Sequence, residues 1–155
     1  MREKPYELKV DKWTFQVHRD RYYNENDCWA KVEGDVATVG ITDFLQNVVS
    51  DIIFVECSKV GTKASQFDEV ASFESVKSLL DVISPVAGTI TDINDQLISS
   101  PELANKDPYG KAWFVKIRLD NFEKDKKNLL DPEGYYEILK KKVEDERRKL
   151  EKKKT

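Results

Sequence analysis

A polar segment between two apolar runs is the feature that most constrains this fold. Residues 70–73 and 79–83 are short and rich in residues that favour β-strands, and the polar segment 74–77 lies between them. A proline and a glycine follow the second run. Strand-forming runs that flank a polar segment and end at such residues predict a β-hairpin. Lys77 is then expected at or near its tip.

Other short strand signals are spaced along the chain. Residues 29–32 and 36–41 flank a turn at 33–35 and predict a second hairpin. Further strands are predicted at 52–55, where the run is continuously apolar, at 88–93, and at 113–119, where apolar and polar residues alternate. Many short strands with few helices predict a mainly β fold, β-rich with short helices, arranged as a sandwich or barrel with a C-terminal helix.

Capping residues predict where three helices begin. The starts are Thr42 before Asp43, Ser100 before Pro101, and Asp131 before Pro132. In the last helix, Tyr136, Leu139 and Val143 lie along one side and can dock on the body. Charged residues dominate beyond Val143, so the last two turns are expected to be solvated and to fray.

We expect one main domain over residues 22–139, an N-terminal extension over 1–21 and a charged helical extension over 140–155. In the N-terminal extension, Trp13, Phe15 and Val17 alternate with polar residues, as in an edge strand or a packed arm. No apolar run approaches the roughly 18 residues that cross a bilayer. The first residues lack the apolar core of a secretory signal, so a cytoplasmic location is expected.

The chain offers little material for a catalytic or metal site. Cys28 and Cys57 lack metal-ligand spacing and are too few for a disulfide framework, so both are expected to be free thiols. A single histidine, His18, supports neither a zinc site nor a Ser-His-Asp triad. The carboxylates at positions 43, 51, 56 and 74 have no spacing that pairs them for acid–base work, and no Gly-rich phosphate loop is present. We therefore do not expect an enzyme.

The net charge of −3 hides two oppositely charged parts. Residues 137–155 hold nine basic and five acidic residues, which leaves 17 basic and 24 acidic residues in the first 136. An acidic body disfavours nucleic acid and suits docking on basic partner surfaces. The basic tail permits an alternative, a binding module for nucleic acid or an acidic protein, although its interleaved acids are more typical of a solvated helix.

The chemistry of Lys77 favours a substrate over a catalyst. A catalytic lysine needs burial or a neighbouring cation to become nucleophilic. A tip lysine with Glu74 three residues before it has neither. It is better suited to being modified by another enzyme, although spacing alone does not distinguish it from the other 25 basic residues.

Five blocks together resemble the glycine cleavage system H protein family. They are VATVGITDF at 36–44, DIIFVE at 51–56, ESVK at 74–77, SPVAG at 84–88 and NKDPYG at 105–110. The blocks follow the order and spacing of that family, and the agreement extends from about Tyr22 to Leu139. The resemblance implies a lipoyl-domain-like barrel-sandwich hybrid with the lysine on a hairpin.

The resemblance also implies a carrier function. In the family, the lysine that matches Lys77 bears lipoate through an amide bond, and Glu74 matches an acid that we interpret as recognised by the lipoylating enzyme. The lipoyl arm accepts an aminomethyl group during glycine decarboxylation, transfers it to an aminomethyltransferase and is reoxidised by dihydrolipoyl dehydrogenase. Biotin carriers place their lysine between methionines, whereas Val76 and Ser78 flank Lys77, which disfavours biotin.

Several positions depart from the family pattern. Asp27 replaces a histidine, and Phe67 and Ala71 replace glycines. Leu79 and Leu80 replace small residues after the lysine, and they either make the surface around the arm more apolar or pack inward. These departures leave two alternatives open: a related lipoate-binding protein that serves heterodisulfide-reductase-like sulfur oxidation, and a module whose lysine stays unmodified.

Overall fold

The computed structural model describes residues 3–153. The strands in this part of the chain are β1 (Tyr6–Val10), β2 (Trp13–Val17), β3 (Tyr22–Tyr23), β4 (Cys28–Glu33), β5 (Val36–Ile41), β6 (Ile52–Cys57), β7 (Lys63–Ala64), β8 (Glu69–Ser75), β9 (Leu79–Ile83), β10 (Gly88–Ile93) and β11 (Val115–Leu119). The helices are α1 (Asp43–Val49), α2 (Asp95–Ser99), α3 (Leu103–Lys106), α4 (Phe122–Asp125) and α5 (Pro132–Lys153), and a 3-10 turn covers Lys126–Asn128. The predicted strands are all present, although β11 begins two residues later than predicted.

Two antiparallel sheets enclose the main core. The larger has the order β3-β4-β5-β11-β10-β7, and the smaller has the order β6-β8-β9. Val39 and Ile117 of the larger sheet and Val55 and Phe73 of the smaller one belong to a single buried cluster. Both sheets therefore close over one apolar interior, and the predicted mainly β fold with a C-terminal helix is confirmed.

The N-terminal hairpin and α5 build a second buried cluster. Phe15 and Val17 of β2 are buried there with Leu139 and Val143 of α5. Of the two alternatives predicted for residues 13–17, an edge strand and a packed arm, the structure combines both features, since within residues 3–153 β2 pairs only with β1 and packs against α5.

The predicted docking of Tyr136 is confirmed as well, because its half-buried ring packs against the second cluster with 5.4 Å between its centroid and that of Tyr6. Tyr135, which the sequence did not single out, is the third fully buried residue of α5. Positions 135, 139 and 143 are four residues apart and share a helix face.

Two predicted helix starts are confirmed and one is wrong. The Thr42 hydroxyl accepts a hydrogen bond from the Leu45 backbone N–H at 3.2 Å, and Asp131 accepts one from the Gly134 N–H at 2.7 Å. Ser100 instead ends α2, a helix that the sequence did not predict, and the next helix begins only at Leu103. The helix α5 continues to Lys153, and residues 148–153 are exposed, as predicted for a solvated extension.

The cysteines and the histidine have structural surroundings. Cys28 is buried, Cys57 is half-buried, and both are free thiols. The His18 ring stacks on Tyr109 with 4.2 Å between ring centroids. Burial and the nearby Arg21 lower the pKa of His18. Within residues 3–153, no helix combines the length and the apolar character needed to cross a bilayer.

An ion pair holds α5 against the turn before β4. The Lys142 ammonium donates to both carboxylate oxygens of Asp27 at 2.9 Å, and the Tyr135 hydroxyl donates to the same carboxylate at 2.7 Å. Asp27 has a φ of 63°, in the left-handed region that Asp tolerates better than most residues. Burial raises the pKa of Asp27, and the two donors offset only part of that effect.

The Lys142→Met variant is expected to lose about 2 kcal/mol of unfolding free energy at neutral pH, because a mostly buried carboxylate loses its charged partner. The pKa of Asp27 should then rise further above its unfolded value. The difference in unfolding free energy between variant and wild type should therefore shrink as the pH falls through that raised pKa, because Asp27 then becomes neutral in the folded variant. Urea unfolding at neutral and acidic pH measures both effects. Lys149→Met, which removes an exposed pair with Glu146, is the control and should cost less than about 0.5 kcal/mol.

Candidate functional site

Lys77 lies at the tip of the hairpin formed by β8 and β9. The two strands pair antiparallel, and the last pair before the loop is Glu74 opposite Leu79. The connecting residues include Val76, Lys77 and Ser78, all of them exposed. Within residues 3–153, the Lys77 ammonium makes no ion pair, and its side chain lies in solvent. The predicted position of Lys77 is confirmed.

Ser75 holds the backbone of the tip in place. Its hydroxyl oxygen accepts hydrogen bonds from the backbone N–H groups of Lys77 at 3.1 Å and Ser78 at 3.0 Å. The Ser75 N–H donates to the Ser78 carbonyl at 2.8 Å and closes the turn. Serine side chains commonly satisfy turn backbones in this way. The loop is therefore fixed while the Lys77 side chain remains in solvent.

Asn105 ties the tip to the body of the protein. The Val76 N–H donates to the Asp51 carbonyl at 3.1 Å. On either side of Asp51, the Asn105 side chain accepts from the Ile52 N–H and donates to the Ser50 carbonyl, both at 2.8 Å. Asn105 lies in the NKDPYG block, but the sequence assigned it no role because these contacts join segments distant in the chain. Hydrogen bonds through residues 50–52 and Asn105 therefore fix the hairpin tip relative to the rest of the protein.

The apolar run at 52–55 is a strand, but its middle faces solvent. A register shift against β8 occurs between Ile52 and Phe54, as in a β-bulge. Ile52 and Val55 are buried, whereas Ile53 and Phe54 are exposed. The bulge breaks the usual alternation of faces, so two neighbouring apolar side chains lie on the surface.

The structure shows where the residues that depart from the family pattern lie and which of them are exposed. Two alternatives were predicted for Leu79 and Leu80, an apolar surface around the tip or inward packing. Leu79 is exposed beside the tip, whereas Leu80 packs against the main core. Ala71 is buried. Phe67 lies before β8, at the end of the hairpin away from Lys77, and has a φ of 72° that glycine adopts more easily. Among these positions, only Leu79 adds apolar surface at the tip.

Comparison with known proteins decides the family. The sequence model described as glycine cleavage H-protein matches residues 21–142, which include the whole hairpin. The chain belongs to this family.

Individual relatives agree with the family match. The chain is 42% identical over 141 residues to a probable glycine cleavage system H protein of Aeropyrum pernix, covering 89% of this chain and 96% of the relative. It is 42% identical over 123 residues to a glycine cleavage system H protein of Thermus thermophilus, covering 79% and 95%. The crystal structure of a glycine cleavage system H protein from Mycobacterium marinum is similar, with a TM-score of 0.64, 28% identity and coverage of 67% and 87%.

Proposed function

We propose that this chain is a lipoyl carrier of glycine cleavage and that Lys77 bears the lipoyl group. The observation that carries the proposal is a free lysine on a braced hairpin tip, inside the ESVK block of a chain that belongs to the family. The residues present fit such a group, because the ammonium is exposed and its backbone is held by Ser75. The relatives' names favour glycine cleavage over sulfur oxidation.

The chain's own part in the cycle is attachment and presentation. On attachment, the Lys77 ammonium first loses a proton to give the free amine, which attacks the carbonyl carbon of a lipoyl adenylate. The nitrogen loses a second proton as the amide bond forms, and the bond between the acyl carbon and the phosphate oxygen breaks and releases AMP. When bound, lipoate supplies two sulfur atoms that carry a one-carbon amine unit and reducing equivalents. A tethered group reaches each partner at high effective concentration without a tight complex. We therefore propose a carrier that catalyses no step itself.

The proposed partners are the enzymes that load and use the arm. They are a lipoylating enzyme, glycine decarboxylase, an aminomethyltransferase and dihydrolipoyl dehydrogenase. We propose that Glu74 contributes to recognition by the lipoylating enzyme, since it is exposed and one residue from the tip loop. We also propose that residues 22–139 form the carrier domain, with 1–21 and 140–155 as extensions, and that the cycle runs in the cytoplasm.

Intact-mass analysis tests attachment. The purified chain, incubated with a lipoate–protein ligase, lipoate and ATP, should gain the mass of one lipoyl amide, and peptide mapping should place it on Lys77. Omission of lipoate is the control. A chain that stays unmodified, while the Thermus thermophilus relative is modified in parallel, would contradict the proposal and favour an unmodified binding module.

A further inference from the structure

Four exposed apolar side chains surround the hairpin tip, and we call them the tip patch. They are Ile53, Phe54, Val76 and Leu79, with exposed fractions of 54%, 53%, 63% and 71%. Isolated exposed apolar residues are ordinary, but a group beside a reactive residue indicates an interaction site. The tip patch is therefore a candidate docking surface.

Strand register places two residues of the tip patch in one row across the smaller sheet. Phe54 of β6 lies opposite Glu74 of β8, and Glu74 lies opposite Leu79 of β9. Side chains at paired positions lie on the same face, about 5 Å apart at Cβ. All three are exposed, so Glu74 lies between two apolar side chains on the outer face.

The three strands that form this face are acidic. Strands β6, β8 and β9 contain four acidic residues and no lysine or arginine. The next outward row away from the tip pairs Glu56, Ser72 and Asp81. A depression of about 330 Å³ is lined by this row and Glu69. Apart from Lys77, charge on this face is negative, and a complementary partner surface would be basic.

Distance identifies which partner must contact this surface. The lysine nitrogen stands on a stem of only four carbons. An enzyme that acylates this nitrogen must bring its active site to the hairpin tip and cover the residues beside it. Enzymes that act on the finished arm reach its sulfur atoms at the end of a much longer thread, so they have no such requirement.

We infer that the tip patch is the docking surface for the lipoylating enzyme, which meets it with an apolar pocket rimmed by lysine or arginine. This inference rests on the proposed lipoylation of Lys77. Phe54 and Leu79 are expected to contribute affinity as the apolar centre, and Glu74 is expected to set orientation from between them.

Initial rates of lipoylation test the inference. With limiting carrier, lipoate–protein ligase, lipoate and ATP, Phe54→Ser and Leu79→Ser should each lower kcat/KM by about tenfold, mainly through KM. Added salt should slow the wild type because the acidic rim is screened. The matched control is Val60→Ser, which changes an exposed apolar residue beyond the other end of β6 and should modify at the wild-type rate. Melting temperatures confirm that all variants fold.

The outcomes separate this inference from the proposed function. A wild type that is never lipoylated would overturn both. A wild type that is modified at the same rate as Phe54→Ser and Leu79→Ser would overturn only the docking surface. In that case, the lipoylated variants can also be compared with the lipoylated wild type as substrates of dihydrolipoyl dehydrogenase. A poorer reaction of the variants would show that the tip patch docks this enzyme and not the lipoylating enzyme.

Discussion

The Lys77→Arg variant is expected to gain no lipoyl group under conditions that modify the wild type completely. A guanidinium stays protonated and is not acylated, so the site loses its nucleophile while keeping its charge. The side chain is exposed, and the bonds that hold the tip involve backbone atoms and Ser75. The fold should therefore be unaffected. Intact mass and thermal melting measure the two expectations together.

Lys59→Arg is the matched control for this experiment. Lys59 is another exposed lysine, in the turn after β6 at the opposite end of that strand from the tip. Its substitution should leave the full lipoyl increment in place. A lipoyl increment that persists in Lys77→Arg would show that another lysine is the acceptor.

The Gly88→Ala variant is expected to lose about 3 kcal/mol or more of unfolding free energy. Gly88 is buried at the start of β10, where it pairs with both Leu119 and Ala64. An added Cβ would overlap the Arg118 carbonyl oxygen and lie 2.7 Å from the Ile117 side chain. Backbone cannot move aside as a side chain can, so the pairing of β10 with β11 must shift. Urea unfolding measures the loss.

Gly34→Ala separates steric overlap from backbone strain. Gly34 has a φ of 65°, and an added Cβ would meet no atom within 4 Å. It should cost only the left-handed strain, about 1 kcal/mol. A loss in Gly88→Ala no larger than that in Gly34→Ala would contradict the overlap argument.

The hairpin was predictable because its signals are local. Two short strand-forming runs and a polar turn determine where Lys77 projects, and these depend only on neighbouring residues. Spacing did not distinguish Lys77 from other lysines. The family resemblance did, and the structure agrees by placing it on a free tip.

The features that the sequence did not reveal depend on contacts between distant segments. Exposure of Ile53 and Phe54 follows from a bulge that forms only against β8. The burial of Tyr135 depends on Asp27, whose carboxylate accepts a hydrogen bond from the Tyr135 hydroxyl. Asn105 acts on backbone more than 50 residues away. Local periodicity contains none of this information.

Reconstituted glycine–bicarbonate exchange tests the carrier function most directly. Glycine decarboxylase of Thermus thermophilus, supplied with the lipoylated chain, should exchange labelled bicarbonate into the carboxyl group of glycine. The Lys77→Arg variant should support no exchange above the decarboxylase alone, and the Thermus thermophilus H protein serves as the positive control. Absence of exchange with the fully lipoylated wild type, under conditions where the positive control is active, would contradict a function in glycine cleavage.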